Sequence, residues 1–217
     1  MTPRETQVDC PAIDTIYAPL AILLTRHPPV AVPAGTCYGR HDVALLPGWR
    51  GRADGLAVLA RGAGCRVIHA SPASRCRQVA ERIAARAGIA LRVDPRLAEL
   101  DFGAWEGQSW DSIDRATLDA WAADPEGFAP PGGEAGRGLL HRVQSFWHDM
   151  LAQGAPACVL SHGGPLRLME GLAAGRRPAL LDPVMRQGGA RLYAVPCRHA
   201  VAEPGAISLR AGSRIWL

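Results

Sequence analysis

Leu20-Ala-Ile-Leu-Leu-Thr-Arg-His-Pro-Pro29 is a short apolar run cut off by a polar pair and two adjacent prolines. Two prolines in a row continue neither a helix nor a central strand, so Arg26 and His27 stand where a buried strand stops. The same plan returns late in the chain, where apolar Ala157-Cys-Val-Leu160 leads into Ser161-His162-Gly163-Gly164. A polar residue placed at the end of a buried strand is a residue placed at the rim of a sheet. Two such placements, each with a histidine, suggest a shared crevice.

Working outward, Pro and Gly punctuate residues 30–42 as a loop, and a helix is expected over Gly48–Arg61, closed by Gly62-Ala-Gly64. A second strand is expected at 66–70. Ser71-Pro72 then reads as N-cap and first turn of a helix ending at Gly88. A third strand follows at about Ile89–Val93, then helices at 109–123 and Glu134–Gln153 around a loop from Pro125 to Gly133. The helix after His162 runs to about Ala174, with late strands near 190–195, 206–210 and 213–217. Strands alternating with helices predict an α/β domain whose largely parallel sheet is covered on both faces. Residues 1–17 read as an N-terminal extension and 18–217 as one domain, with a cap-like insertion at about 107–135.

The composition narrows the class of function. Of 217 residues, 48% are hydrophobic and 20% charged, an ordinary globular balance. The net charge of +4 comes without basic blocks and gives no footprint for nucleic acid. All 24 basic residues are arginines, which excludes chemistry that needs a lysine Schiff base or a phosphate-loop lysine. Cys10, Cys37, Cys65, Cys76, Cys158 and Cys197 form no metal-ligand spacing, so reduced thiols in a cytoplasmic protein are expected. The first residues lack the plan of a signal peptide, and Ala18–Leu24 is too short to span a bilayer, so no membrane partner is expected.

The chemistry points to an anion. Arg26 beside His27 is costly in an apolar setting without a negative partner, and Gly163-Gly164 lets backbone N–H groups approach one. An arginine pair and two imidazoles at a helix start describe a phosphate pocket. A neutral imidazole is a competent nucleophile towards phosphorus, and a carboxylic acid against the bound dianion can supply the leaving oxygen with a proton. Glu99, after the third strand, is the best placed acid. A lone histidine after a strand is more often a satisfied structural residue. Two in matching contexts favour catalysis, and metal ligation lacks an HxH or HxxxH pattern. His141 and His148 share one helix face and read as packing or solvated residues, His69 as a packed strand residue, and His199 as a loop residue.

On these residues the chain resembles the histidine phosphatase superfamily, the phosphoglycerate mutase-like fold. Leu24-Thr-Arg26-His27-Pro28 matches its Arg-His-Gly strand end with proline in place of glycine. Ser71-Pro-Ala-Ser-Arg75-Cys-Arg-Gln78-Val-Ala80 matches the stretch that carries the second arginine, which makes Arg75 rather than Arg77 the phosphate ligand. Leu97-Ala-Glu99 followed by Phe102-Gly-Ala-Trp-Glu-Gly107 matches the acid-bearing loop, with Glu99 in the proton donor's place and Asp101 and Glu106 as local hydrogen-bonding residues. Ser161-His162-Gly163-Gly164 matches the second histidine's turn. These motifs run in the family's order over about Ile22–Arg167.

The resemblance implies a three-layer α/β/α sandwich and no metal or organic cofactor for catalysis. It implies a phosphomonoesterase in which His27 attacks, Arg26, Arg75, His162 and Gly163 hold the phosphoryl group, and Glu99 protonates the leaving oxygen. The loop from Cys37 to Leu45 resembles the branch that includes alpha-ribazole phosphatases, so alpha-ribazole-5'-phosphate is the specific expectation, with Gly39 and Arg40 as substrate-binding candidates and a solvated role for Arg40 equally open. Pro131-Gly-Gly-Glu134 resembles a family segment whose glutamate reaches the substrate side. Mutase members carry an asparagine soon after the nucleophile, and this chain has none. A mutase-type transfer and a non-catalytic phosphate-binding module remain the rival readings. The expected partner is a small phosphorylated metabolite; a homodimer is left open.

Overall fold

The computed structural model describes residues 19–196. The N-terminal extension, Cys10, Cys197, His199 and the strands expected at 206–210 and 213–217 lie outside the described residues. The strands are β1 (Leu20–Arg26), β2 (Val67–Ala70), β3 (Ala90–Val93), β4 (Ala157–Ser161) and β5 (Ala190–Val195). The helices are α1 (Trp49–Gly62), α2 (Ser74–Ala87), α3 (Arg115–Ala123), α4 (Gly136–Ala152) and α5 (Gly163–Ala173).

The strands form one sheet in the order β3-β2-β4-β1-β5, parallel except for β5, which runs antiparallel to β1 at the edge. Alternation along the central strands sends Ile22, Leu24, Ala157 and Val159 to one face. There they pack with Leu139, Val143 and Phe146 of α4 and Leu166 and Met169 of α5. Leu23, Cys158 and Leu160 face the other way, against Leu56 and Ala57 of α1 and Val79 and Ile83 of α2. Three layers result, as expected. A smaller cluster is centred on buried Cys37, Trp105 and Ile113, with Trp110, Trp121 and Phe128 packed around it.

From β1 the chain leaves to α1 on one face, and from β4 to α5 on the opposite face. The junction of β1 and β4 is therefore the switch point of the sheet, where a crevice opens beyond the strand ends.

Three local expectations are corrected. Ser71 is not a helix cap: α2 starts at Ser74, with Ala73 in the capping position. Ser71 is fully buried and its hydroxyl is taken up elsewhere, while the Ser74 amide and hydroxyl both donate to Asp42 Oδ1, at 3.0 and 2.6 Å. A carboxylate 32 residues upstream thus stands at the start of α2. The helix expected at 109–123 is broken. A short 3-10 turn spans Trp110–Ser112, and α3 begins only after Asp114, whose side chain accepts from the Thr117 amide at 2.9 Å. Helix α4 likewise starts at Gly136, two residues later than Glu134. Gly88 ends α2 as expected, in the left-handed conformation at φ 69°.

Candidate active site

The register of two parallel strands assembles the centre. Arg26 at the end of β1 lies opposite Ser161 at the end of β4, and the ladder continues as the His27 amide donates to the Ser161 carbonyl at 3.1 Å. The residue after each strand is a histidine, so His27 and His162 emerge side by side. Their rings meet edge to face with centroids 5.2 Å apart, and each residue is 1% exposed.

Their partners fix their tautomers. His27 Nδ1 lies 2.8 Å from the Pro28 carbonyl, which can only accept, so Nδ1 carries the proton and Nε2 keeps its lone pair. Burial, reinforced by the positive charges of Arg75 and Arg26, pulls the His27 pKa down to about 3 against the opposing pull of the Pro28 bond. The ring is a neutral base at any ordinary pH. His162 is the reverse case. Arg75 approaches its Nδ1 at 3.1 Å and a guanidinium can only donate, so the proton sits on Nε2, which donates to Ser71 Oγ at 2.7 Å. Burial first, then Arg75, holds His162 well below its ordinary pKa. Cys76 Sγ lies 3.6 Å from the same Nε2; burial pushes this thiol up to about 12 and keeps it neutral.

Arg75, in the first turn of α2, is fully buried. Its nitrogens donate to the carbonyls of His41 at 2.8 Å and Gly39 at 2.6 Å and to His162, and the Tyr38 ring lies 5.4 Å below its Cζ. Its Nε has no hydrogen-bond partner. Arg26 donates to the Met185 carbonyl at 2.7 Å, and its buried Nε is also unpartnered. Among the described residues neither guanidinium meets a carboxylate within ion-pairing distance. Buried cationic groups without a counter-anion are costly, and a dianion between them would relieve that cost.

Glu99 sits across the start of α5, where its carboxylate accepts from the Gly164 amide at 3.2 Å and from its neighbour Leu100 at 2.9 Å. A side chain on either glycine would displace groups of the site. A Cβ on Gly164 would fall 2.3 Å from Glu99 Oε1, and one on Gly163 would fall 2.7 Å from Val184 and 3.4 Å from the Arg26 guanidinium. Arg142 of α4 holds the Glu99 loop by donating to the carbonyls of Arg96, Ala98 and Glu99, at 2.6, 2.5 and 3.0 Å.

Arg26, His27, Glu99, Gly163 and Gly164 share the wall of a cavity of about 340 Å³. His162 packs edge to face on His27, and Arg75 is bonded to His162. Three other expected ligands are placed differently. Gly39 is packed where a Cβ would lie 2.0 Å from the Leu100 carbonyl, and it reaches the site only through its bond from Arg75. Arg40 is exposed, its amide bound to Glu106. The Glu134 carboxylate forms a two-pronged pair with Arg142 at 2.9 and 3.0 Å, with Arg40 at 3.6 Å. Burial pushes its carboxyl up, but the bonds and charge of Arg142, helped by Arg40, hold it net below its ordinary value. Asp101 and Glu106 do bond local amides, Gly103 at 2.9 Å and Phe102 at 3.1 Å.

Other residues of the site carry no strong sequence signal. Tyr38, Trp110, Trp121 and Arg167 line the cavity. Arg167 of α5 bonds the Leu180 carbonyl and leaves its buried Nε without a partner; burial lowers its pKa despite the opposing charge of Glu99. An arginine in the second turn of the helix after His162 is marked by its position. The remote aromatic residues are not.

The order of layers, the strand topology and the histidine pair at the switch point define a phosphoglycerate mutase-like α/β/α sandwich. The chain belongs to the histidine phosphatase superfamily, branch 1, whose family model matches residues 22–199. It is 32% identical over 162 residues to the bifunctional protein Rv2228c of Mycobacterium tuberculosis, across 71% of this chain and 44% of that protein. The chain therefore spans less than half the length of the first curated relatives it matches. Its fold superposes on the alpha-ribazole phosphatase from Shigella flexneri with a TM-score of 0.71 at 20% identity, covering 80% of this chain and 89% of that one. Mycobacterial glucosyl-3-phosphoglycerate phosphatase Rv2419c superposes with a TM-score of 0.70 at 22% identity, covering 80% and 89%. Among the described residues no helix is long and apolar enough to cross a membrane.

Proposed function

We propose that this chain hydrolyses phosphomonoesters through a covalent phosphohistidine on His27. The observation that carries the reading is a fully buried Arg75 with no carboxylate partner among the described residues, bonded to the His162 ring that packs on a neutral His27. In the first step His27 Nε2 attacks phosphorus, the phosphorus–oxygen ester bond breaks, and the leaving oxygen takes a proton from the Glu99 carboxyl. Arg26, Arg75 and the α5 N-terminus neutralise charge on the three equatorial oxygens. His162, its Nδ1 held by Arg75, positions that guanidinium. In the second step water attacks phosphorus, the phosphorus–nitrogen bond breaks, and the Glu99 carboxylate takes the water's proton. The products are an alcohol and inorganic phosphate.

The substrate is a small phosphorylated metabolite, and alpha-ribazole-5'-phosphate is the specific candidate. Its support is the Cys37–Leu45 loop and the likeness to a structure named an alpha-ribazole phosphatase. The likeness to a glucosyl-3-phosphoglycerate phosphatase names a different ester and keeps the substrate search open.

The test is phosphate release from phenyl phosphate in the presence of chelator, with wild type and His27→Ala compared. Chelator-resistant release that the variant loses supports the proposal. Full activity in the variant overturns it. Product analysis with a second alcohol as acceptor separates hydrolysis from mutase-type transfer, and binding without release would indicate a phosphate-binding module.

A further inference from the structure

We propose that the ester accepted at this site carries a flat aromatic ring, seated on the faces of Trp110 and Trp121; this rests on the phosphoryl site read above. The cavity that holds Arg26, His27 and Glu99 extends along a wall made by Phe102, Trp110 and Trp121. Trp110 and Trp121 stack at 18° with centroids 6.2 Å apart, and Phe102 meets Trp110 edge-on at 5.4 Å. Trp105 braces both tryptophans from behind, at 6.3 and 6.1 Å.

Packing alone does not account for this wall. Trp105, Cys37 and Ile113 are the buried centre of the cluster, whereas Phe102, Trp110 and Trp121 are only partly buried and turn surface to the cavity. Leu100, Pro125, Leu139, Leu180 and Val184 add apolar surface to the same cavity, with the hydroxyls of Thr36 and Tyr38 as its uncharged polar groups. An open polyol laid along these three rings would bring hydroxyls against faces that offer them few partners, and each hydroxyl left unbonded costs affinity. A planar ring loses nothing there. It gains stacking area on side chains already held by their neighbours, so little rotamer freedom is lost on binding. The remaining charge on the wall, Arg167, is tethered to the Leu180 carbonyl. It stands as the rival feature, since it would suit a leaving group with a second acid.

Phosphonates test this without turnover. The full chain is titrated calorimetrically with 1-naphthylphosphonate, 2-hydroxyethylphosphonate and 3-phosphonopropionate, in wild type, Trp110→Ala and Trp121→Ala. The naphthyl compound is expected to bind wild type about tenfold more tightly than the hydroxyethyl compound. Either tryptophan variant should lose most of that preference while keeping its affinity for inorganic phosphate. Because both tryptophans also pack on Trp105, Trp110→Phe and Trp121→Phe are run alongside, and should keep the fold and part of the preference. Equal or weaker naphthyl binding by wild type overturns the inference, as does a preference that survives both alanine variants. Tightest binding of 3-phosphonopropionate overturns it in favour of an acid-bearing substrate. Failure of the hydrolytic reading is seen separately, as absence of phosphate release with phosphonate binding intact.

Discussion

His27 and His162 are neighbours with opposite tautomers. The rings meet at 5.2 Å, yet the Pro28 carbonyl puts the proton of one on Nδ1, and the Arg75 guanidinium forces the proton of the other onto Nε2. One imidazole is left with a free lone pair at Nε2, and the other spends its lone pair on Arg75. Two histidines from similar strand ends thus acquire different roles from their partners alone.

Ser71→Ala tests the second tautomer. It removes the acceptor of His162 Nε2–H and leaves a buried donor unsatisfied. We expect kcat/KM to fall about tenfold, mainly in KM as Arg75 loses its fixed partner, with Ser71→Thr restoring much of it. Steady-state kinetics on phenyl phosphate check this; unchanged KM in Ser71→Ala would remove His162 from the positioning of Arg75.

Glu99→Gln tests the proton donor. The loss should depend on the leaving group: about 100-fold or more in kcat/KM for an alkyl phosphate, and far less for p-nitrophenyl phosphate, whose oxygen leaves without help. Gly164→Ala should imitate it, because its Cβ would land 2.3 Å from Glu99 Oε1. Equal losses on both esters would argue that Glu99 serves only to bind.

Glu134→Gln separates structure from substrate contact. Glu134 pairs with Arg142, and Arg142 holds the carbonyls of the Glu99 loop. Both side chains are mostly buried, so the variant should lose about 1–2 kcal/mol of stability. The thermal midpoint should drop while the ranking of substrates stays as in wild type. A changed ranking with an unchanged midpoint would make Glu134 a substrate ligand.

Acid should destabilise the fold early. Unfolded imidazoles take up protons near pH 6.5, whereas folded His27 resists to about 3 and His69 to about 4, in each case chiefly through burial. Between these limits the unfolded chain binds more protons. The stability contributed by the buried neutral rings is thus complete above about pH 6.5 and is lost progressively as pH falls towards about 3. Thermal midpoints measured from pH 7 to 5, before most carboxylates titrate, should fall steadily. A flat midpoint across that window would mean that these rings protonate in the folded state.

The sheet and the two histidines were legible because their signals are local. Apolar runs that stop at Arg26-His27-Pro28 and at Ser161-His162-Gly163 announce strand ends, and the parallel register of β1 and β4 does the rest. Residues that act at a distance were not legible. Ser71 has the composition of a helix cap, and only the fold turns it towards His162, with Asp42 supplying the carboxylate at the helix start from another loop. Arg142 lies 43 residues from Glu99 in sequence, and nothing local marks it as the anchor of that loop. Trp110 and Trp121 read as members of one helix, but the break before Asp114 folds their rings against each other and onto the cavity.

The measurement that reaches the central claim most directly is rapid-quench trapping of the enzyme with phosphorus-labelled phenyl phosphate, followed by peptide mapping at alkaline pH. The account predicts stoichiometric, acid-labile label on the peptide containing His27, formed before phosphate release and absent from His27→Ala. Turnover without any covalent label, or label on His162 with His27 unmodified, would contradict it.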